Sequence, residues 1–289
     1  MTKEKKCCHC GKTKPLDGGY FISKKTADGH WHWCIDCEKE ARQQTDEMKY
    51  CLSFSGGKDS TAMLILALEK KIPLDKIIYF DCEEFEFPEM HNHIEKVKKI
   101  LGVKIDVCHT VKPFRQYLKE LGWATPSLRW CTNEKINSIR RVLRFYRPHT
   151  SYIGFASDET MRVERAFKKN KARTRDKFMH FSFPLVDWNV SEKEALKICY
   201  SYGFDWDGLY KEWDRLSCWC CPLQSDSDID KLKRVSPDLW ERLWELDELA
   251  PRDFKWGFYK NSMSDCKKNK ACSIFNVNKL YGQQQRLKL

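Results

Sequence analysis

The stretch Ser53-Phe54-Ser55-Gly56-Gly57-Lys58-Asp59-Ser60 limits what this chain can fold into more than any other. Tyr50-Cys51-Leu52 before it is apolar enough to end a strand, and Thr61 to Glu69 after it reads as a buried helix. A glycine-rich turn between a strand and a helix start is the context in which a glycine pair holds phosphate. Glycines reach backbone conformations closed to other residues and let N–H groups approach a ligand. The helix behind them adds its free N-terminal N–H groups and positive dipole end. Ser55 and Ser60 offer hydroxyls, and Lys58 offers a charge. A solvent-exposed turn capped by Asp59 or Ser60 would explain one glycine pair alone. The whole octapeptide in its context favours a phosphate site made from Ser53, Ser55, Gly56, Gly57, Lys58, Asp59 and Ser60. The lysine spacing excludes the ordinary Walker loop, which needs Gly-x-x-x-x-Gly-Lys-Ser/Thr.

The octapeptide resembles the PP-loop of the ATP pyrophosphatase superfamily, whose pattern is Ser-Gly-Gly-x-Asp-Ser. The resemblance implies a doubly wound, mainly parallel α/β domain of the adenine nucleotide alpha hydrolase type. It also implies ATP cleavage between the α and β phosphates, which adenylates a substrate, or the holding of an adenylylated one.

A chain of 289 residues suits one large domain with appendages. Its net charge of +11 favours an anionic partner, nucleotide or nucleic acid, although a solvated basic surface carries charge equally well. No leading apolar run is present, so neither a secretory signal nor a membrane span is expected, and the expected location is cytoplasmic. Without a signal, 15 cysteines point to metal sites or reactive thiols rather than disulfides.

Residues 1–45 read as a separate module. Cys7-Cys8-His9-Cys10 and Cys34-Ile35-Asp36-Cys37 are two Cys-x-x-Cys knuckles, and Cys7, Cys10, Cys34 and Cys37 together supply the four thiolates of tetrahedral Zn²⁺. Asp28-Gly29 marks a hairpin turn, His30 to Trp33 alternates as a strand should, and Glu38 to Met48 reads as a helix. The arrangement resembles a treble-clef zinc finger. A segment this short lacks a sufficient core, so metal would supply its folding energy. Lys3, Lys5, Lys6, Lys12, Lys14, Lys24 and Lys25 permit nucleic-acid contact, and a structural docking role suits the module equally.

Lys76 to Asp81 reads as the second parallel strand. Open α/β sheets place ligands at strand C-termini, so Asp81 is positioned for the nucleotide or a Mg²⁺. Glu83, Glu84, Glu86 and Glu89, taken singly, read as solvated loop charges. Phe80-Asp81-Cys82-Glu83-Glu84-Phe85-Glu86-Phe87-Pro88-Glu89 resembles the Phe-x-Asp-Thr-Gly and Phe-Pro-Glu-Thr segments of phosphoadenylyl-sulfate (PAPS) reductases. Cys82-Glu83 replaces Thr-Gly, which implies an altered substrate loop. Val103 to Cys108 reads as a third strand and Phe114 to Leu121 as a short helix. Arg129-Trp130-Cys131-Thr132-Asn133-Glu134-Lys135 carries the resemblance further, with a basic helix following through Phe145. A lone cysteine is usually a buried small hydrophobe, and the alternative for Cys131 is a thiol pKa lowered by the nearby Arg129 and Lys135.

Ser151 to Ala156 reads as a fourth strand, followed by the segment Ser157 to Arg165. Family members face the substrate with this segment, so Arg162 is a candidate phosphate or sulfate contact; an ion pair with Glu159 or Glu164 is the alternative. Lys168 to Arg175 is basic and reads as a mobile loop, able to meet a nucleic-acid backbone or to act as a solvated lid. Phe183 to Trp188 matches the Pro-Leu-x-x-Trp segment that closes the family's catalytic domain, and Ser191 caps the next helix.

Ser217-Cys218-Trp219-Cys220-Cys221-Pro222 is the second cysteine signal. Cys218 and Cys221 have Cys-x-x-Cys spacing, and proline after cysteine is common at iron–sulfur sites. The resemblance places this segment beside the active site, facing Cys131. That implies a [4Fe–4S] cluster on Cys131, Cys218 and Cys221. The fourth ligand would be Cys220, Cys266 or Cys272, or the fourth iron would stay open to carry sulfide. A second zinc site, a dithiol redox pair and buried structural cysteines remain alternatives. Asp226 to Leu249 reads as a helical stretch. The basic tail lacks the Glu-Cys-Gly segment that thioredoxin-dependent PAPS reductases use to accept the sulfo group.

Three parts are therefore expected: a zinc finger at 1–45, a PP-loop α/β domain at 46–215 and a helical cysteine-bearing extension at 216–289. The expected function is adenylation-linked sulfur chemistry on ATP or an adenylyl sulfate, with Mg²⁺, and with Asp59, Lys58, Cys131 and Arg162 as catalytic candidates. It is either reduction of the adenylyl sulfate or thiolation of tRNA or DNA, with a sulfur donor or reductant protein as partner. A non-catalytic nucleotide sensor that binds nucleic acid or protein is the alternative.

Overall fold

The structure is a computed structural model that describes residues 3–7, 10–24, 28–42, 47–146, 149–173, 179–252 and 254. It divides into two compact units, residues 1–114 with 129–220, and residues 115–128 with 221–289. The first unit therefore holds both the cysteine-rich start of the chain and the parallel sheet.

Two small antiparallel hairpins open the first unit. β1 (Glu4–Lys6) pairs with β2 (Thr13–Pro15), and β3 (Tyr20–Ile22) pairs with β4 (His30–Cys34). α1 (Ile35–Arg42) follows directly, so the helix starts inside the second knuckle, earlier than the sequence indicated. Trp33 on β4 is buried and stacks on Phe145 at 4.6 Å between ring centroids. This contact docks the finger onto the α/β layer.

The sheet has β5 (Lys49–Phe54), β6 (Lys76–Phe80), β7 (Ile105–Cys108), β8 (His149–Ile153) and β9 (Met179–Ser182). All neighbours are parallel, in the order β7-β6-β5-β8-β9. Cys51, Leu52, Phe54, Ile77, Ile78, Tyr79 and Phe80 are buried. Such near-continuous apolar runs are what a parallel strand covered on both faces requires. The crossovers are α2 (Lys58–Glu69), α3 (Pro88–Leu101), α4 (Phe114–Leu121) with α5 (Trp130–Leu143), and α6 (Thr160–Arg173); α7 (Glu192–Ser201) follows β9. α4 leads into the second unit. β9 has no counterpart among the strands read from the sequence.

Chain order reverses between β5 and β8. Connections on one side run from β5 through β6 to β7, and on the other from β8 to β9. In open α/β sheets the crevice at that reversal, beyond the strand C-termini, is the ligand position. The turn 55–57 after β5 and the segment starting at Gly154 after β8 lie there.

Two sequence expectations change. Lys168 to Arg173 lies in helix α6, not in a loop; the run is Lys, Asn, Ala and Arg with no Gly or Pro, and Ala, Lys and Arg are strong helix formers. Thr174 and Arg175, like Cys266 and Cys272, lie outside the described residues. In the second unit, Asp226 to Leu249 is not one helix but α8 (Asp226–Val235) and α9 (Pro237–Leu249). Pro237 cannot continue a helix, and Ser236 before it is non-helical at φ −133°, ψ 71°. Leu232, Leu243 and Leu246 are buried there while Val235 is exposed. Buried Asp247 accepts hydrogen bonds from Trp123 Nε1 (2.8 Å) and from the Phe254 N–H (2.7 Å).

Candidate active site

Gly56 has φ +76°, and a Cβ there would meet Met90 Cε at 2.9 Å and Ile94 Cδ1 at 3.0 Å. Both the left-handed backbone and the packing against α3 demand glycine. Within the turn, Ser60 Oγ accepts from the Ser55 N–H (3.2 Å), donates to the Gly57 carbonyl (3.1 Å) and lies 3.0 Å from Ser55 Oγ. The short segment 206–212 clamps the turn from outside. Trp206 Nε1 donates to the Gly56 carbonyl at 2.8 Å, and the Lys58 N–H donates to Tyr210 Oη at 2.8 Å. Trp206 and Asp207 both hold φ 50°, an uncommon conformation for non-glycine residues that the surrounding packing sustains. Behind the loop, His93 stacks on Trp206 at 4.3 Å and pairs with Thr61 Oγ1 at 3.1 Å. Burial pushes His93 down to about 3, so it serves as a neutral packing group. Ser53 lies inside β5, opposite Ile78 and Ile153 and two residues before the turn.

Asp59 opens α2. One carboxylate oxygen, Oδ1, is buried without a hydrogen-bond partner, with only the Lys58 ammonium 3.5 Å away. Burial raises its carboxyl to about 6, Lys58 opposes that shift, and the Glu192 and Glu159 carboxylates add to it. Lys58 is buried, and its ammonium is held by Glu192 at 2.5 Å. Its charge is therefore already engaged, which the sequence did not indicate. Gly154 closes the other side of the crevice. A Cβ there would come within 3.2 Å of the Ser60 backbone, so a larger residue would push the end of β8 away from the start of α2 by a few tenths of an ångström. Arg162 pairs with Glu159 at 2.6 Å and lies 4.3 Å over the Phe155 ring. The carboxylate beside this guanidinium is thus Glu159.

At the end of neighbouring β6, Asp81 gathers two histidines the sequence did not single out. Asp81 Oδ1 accepts from the Glu83 N–H at 2.7 Å and lies 3.2 Å from His91 Nε2, while Oδ2 lies 3.7 Å from His109 Nδ1. Burial works against the Asp81 charge, but these hydrogen bonds and the nearby histidines outweigh it and hold its carboxyl below the usual value. The same hydrogen bond raises His91.

One residue further, Cys82, Glu86 and Cys218 bring their donor atoms within 4.8 Å of one another. Cys82 and Glu86 are buried, so Glu86 is not the solvated loop charge its sequence context implied. Its neighbours Phe85 and Phe87 are buried too and draw the 82–88 turn inward. Trp219 locks the cysteine segment onto this turn, with its N–H donating to the Phe85 carbonyl (3.2 Å) and Nε1 to the Glu84 carbonyl (2.9 Å). Cys131 lies in the first turn of α5, half-buried and outside that 4.8 Å group; burial, with Cys218 nearby, pushes its thiol up, against the lowering expected from Arg129 and Lys135, and Cys221 belongs to the second unit. The group around Cys218 is therefore built from Cys82 and Glu86 among the described residues. Their carriers lie 136 and 132 positions away in the chain, and no spacing rule would pair them.

The four finger cysteines do come together. Cys7, Cys10, Cys34 and Cys37 form a second 4.8 Å group, with sulfurs 3.9 Å (Cys7–Cys37), 4.0 Å (Cys10–Cys34) and 3.4 Å (Cys34–Cys37) apart. Thiolates on tetrahedral zinc, with Zn–S about 2.3 Å, stand about 3.8 Å apart, so these four fit one ion. Gly11, at φ +69°, turns the first knuckle, and a Cβ there would lie 3.9 Å from His109 Nε2, just past β7.

A parallel doubly wound sheet with a Ser-Gly-Gly-x-Asp-Ser turn at its reversal point defines a PP-loop α/β protein. More particularly, the family model for the phosphoadenosine phosphosulfate reductase domain matches residues 49–224, and the chain belongs to that family. It is 30% identical over 206 residues to an uncharacterised protein of Methanocaldococcus jannaschii, covering 67% of this chain and 40% of that one. A second uncharacterised protein of the same archaeon is 25% identical over 226 residues, covering 75% and 54%. The chain thus spans about half the length of the curated relatives it matches. Among solved structures, the U34-tRNA thiolase NcsA from Methanococcus maripaludis with its [4Fe–4S] cluster aligns at TM-score 0.41 and 21% identity, over 86% of this chain and 89% of that one. Among the described residues no helix is long and apolar enough to cross a membrane.

Proposed function

We propose that the chain binds an adenine nucleotide, ATP or an adenylyl sulfate, on the turn after β5 and couples it to sulfur chemistry at the thiols after β6. The observation that carries this reading is adjacency. The phosphate turn and the Cys82–Cys218 group follow neighbouring parallel strands at the same edge of the sheet, with Phe54 opposite Tyr79 in register. Strands so paired are about 4.8 Å apart.

Gly56, Gly57 and the first turn of α2 supply N–H donors for the phosphates, and Ser55 and Ser60 supply hydroxyls. The unpartnered Asp59 oxygen suits a Mg²⁺ that offsets charge on departing pyrophosphate. Lys58 joins the phosphates when its pair with Glu192 opens, and Arg162 does so when it leaves Glu159. In the transfer reaction, an acceptor oxygen attacks the α-phosphorus and pyrophosphate leaves. A donor's hydrosulfide then attacks the acceptor atom, its bond to the adenylyl oxygen breaks and AMP leaves with that oxygen; Cys131 is the candidate thiolate for attack on the sulfur of an adenylyl sulfate in the reductive reading. The net charge of +11 and the cysteine-rich finger favour tRNA or DNA as acceptor. Family membership favours the second reading, reduction of an adenylyl sulfate to sulfite and a nucleoside phosphate by paired thiols.

Product analysis separates these readings. AMP and pyrophosphate formed only with nucleic acid and a sulfur donor support transfer. Sulfite released from adenylyl sulfate supports reduction. Tight ATP binding with neither product indicates a nucleotide sensor. ATP seated away from the 55–60 turn would overturn the site.

A further inference from the structure

We infer that Cys82, Glu86 and Cys218 form a second metal site, for a single thiophilic divalent cation of the zinc class. Three observations carry it. First, the donor atoms of the three already lie within 4.8 Å of one another, close to the spacing around one tetrahedral ion. Second, Glu86 is buried beside two thiols, on a turn fixed by the Trp219 hydrogen bonds. A buried carboxylate is retained at such a place when it is paired or ligates a metal. Third, the charges close when a divalent ion displaces the ligand protons. Ionised, the group carries three negative charges, and Lys135, whose ammonium lies 5.8 Å over the Phe80 ring and faces these groups, supplies one positive. A divalent cation brings the set to neutrality.

The mixed sulfur and oxygen set suits a borderline-soft ion such as zinc. Three protein ligands leave the fourth position open, the pattern of reactive rather than structural zinc sites. The buried Tyr79 hydroxyl, without a hydrogen-bond partner, interacts with the same groups and offers a donor to whatever occupies that position. A [4Fe–4S] cluster binds each thiolate to a different iron and so spreads its ligands wider than one mononuclear ion does. This site stands independently of the nucleotide reading, because metal content is measured without turnover.

The test is metal and sulfide analysis of the full chain purified without oxygen and loaded with zinc. Two zinc ions per chain are expected, one in the finger and one here. Cys218→Ser and Glu86→Gln each should halve the content to one, while Cys10→Ser should lose the other ion. If Cys82→Ser fails to fold, the half-exposed Cys218 decides the matter, since its replacement disturbs little packing. Cobalt loading should give thiolate-to-cobalt absorption that weakens in Cys218→Ser and persists in part through the finger. One zinc in the wild type, or two retained in both Cys218→Ser and Glu86→Gln, overturns the proposal. So does iron with acid-labile sulfide that depends on Cys131 and Cys221 but not on Glu86.

Discussion

Asp59→Asn should make the free protein more stable while impairing it. Folding carries the Asp59 carboxyl from 3.8 to about 6, mainly through burial, against the pull of Lys58 and with the push of Glu192 and Glu159. A folded-state pKa above the unfolded one means that the native state binds the proton more tightly. This contribution is intact below about pH 4 and is lost as pH rises towards about 6. At about 1.36 kcal/mol per pH unit, the loss levels off near 3 kcal/mol above about pH 7, an order-of-magnitude figure. Asparagine mimics the protonated acid and titrates nothing. The two proteins should therefore unfold alike near pH 4, and the variant should exceed the wild type by about 3 kcal/mol near pH 8. Urea unfolding followed by circular dichroism, without nucleotide, measures the difference at each pH. Magnesium-dependent nucleotide binding should fall in the same variant, because the unpartnered carboxylate oxygen is gone. A stability difference that does not grow with pH, or a wild type more stable at pH 8, would refute the burial argument.

Gly56→Ala forces an alanine into φ +76° and its methyl against Met90 and Ile94. A loss of about 1–2 kcal/mol for the backbone, plus strain from the contact, should appear in the unfolding midpoint together with weakened ATP binding. Trp33→Ala removes the finger's stacked contact with Phe145 and should cost about 3–5 kcal/mol. Zinc added to the metal-free protein should raise the melting temperature of the wild type more than that of this variant. His91→Gln tests the Asp81 pair. Asp81 raises His91, so that stabilisation is full below the unfolded histidine value and disappears as pH rises through the folded one. Asp81 is held low, and its contribution is lost only as pH falls through its own folded value. The stability gap between wild type and variant should therefore close on the alkaline side, which a pH series of melting curves reads directly.

The glycine turn, its flanking strand and helix and the grouping of the four finger cysteines were all legible in the chain, because each depends largely on residues close in sequence. A turn needs its glycines in place, a helix needs its start, and a knuckle needs two thiolates three positions apart. Tertiary structure alone decided the rest. Cys82 and Cys218 are brought together by sheet order and by the Trp219 hydrogen bonds, neither of which leaves a spacing pattern. Glu86 looked solvated in sequence and is buried, because its aromatic neighbours turn the segment inward. Lys58 looked free for phosphate and is held by Glu192, from a helix 134 positions on. Local rules fix backbone shape, whereas burial and charge pairing depend on what distant segments place nearby.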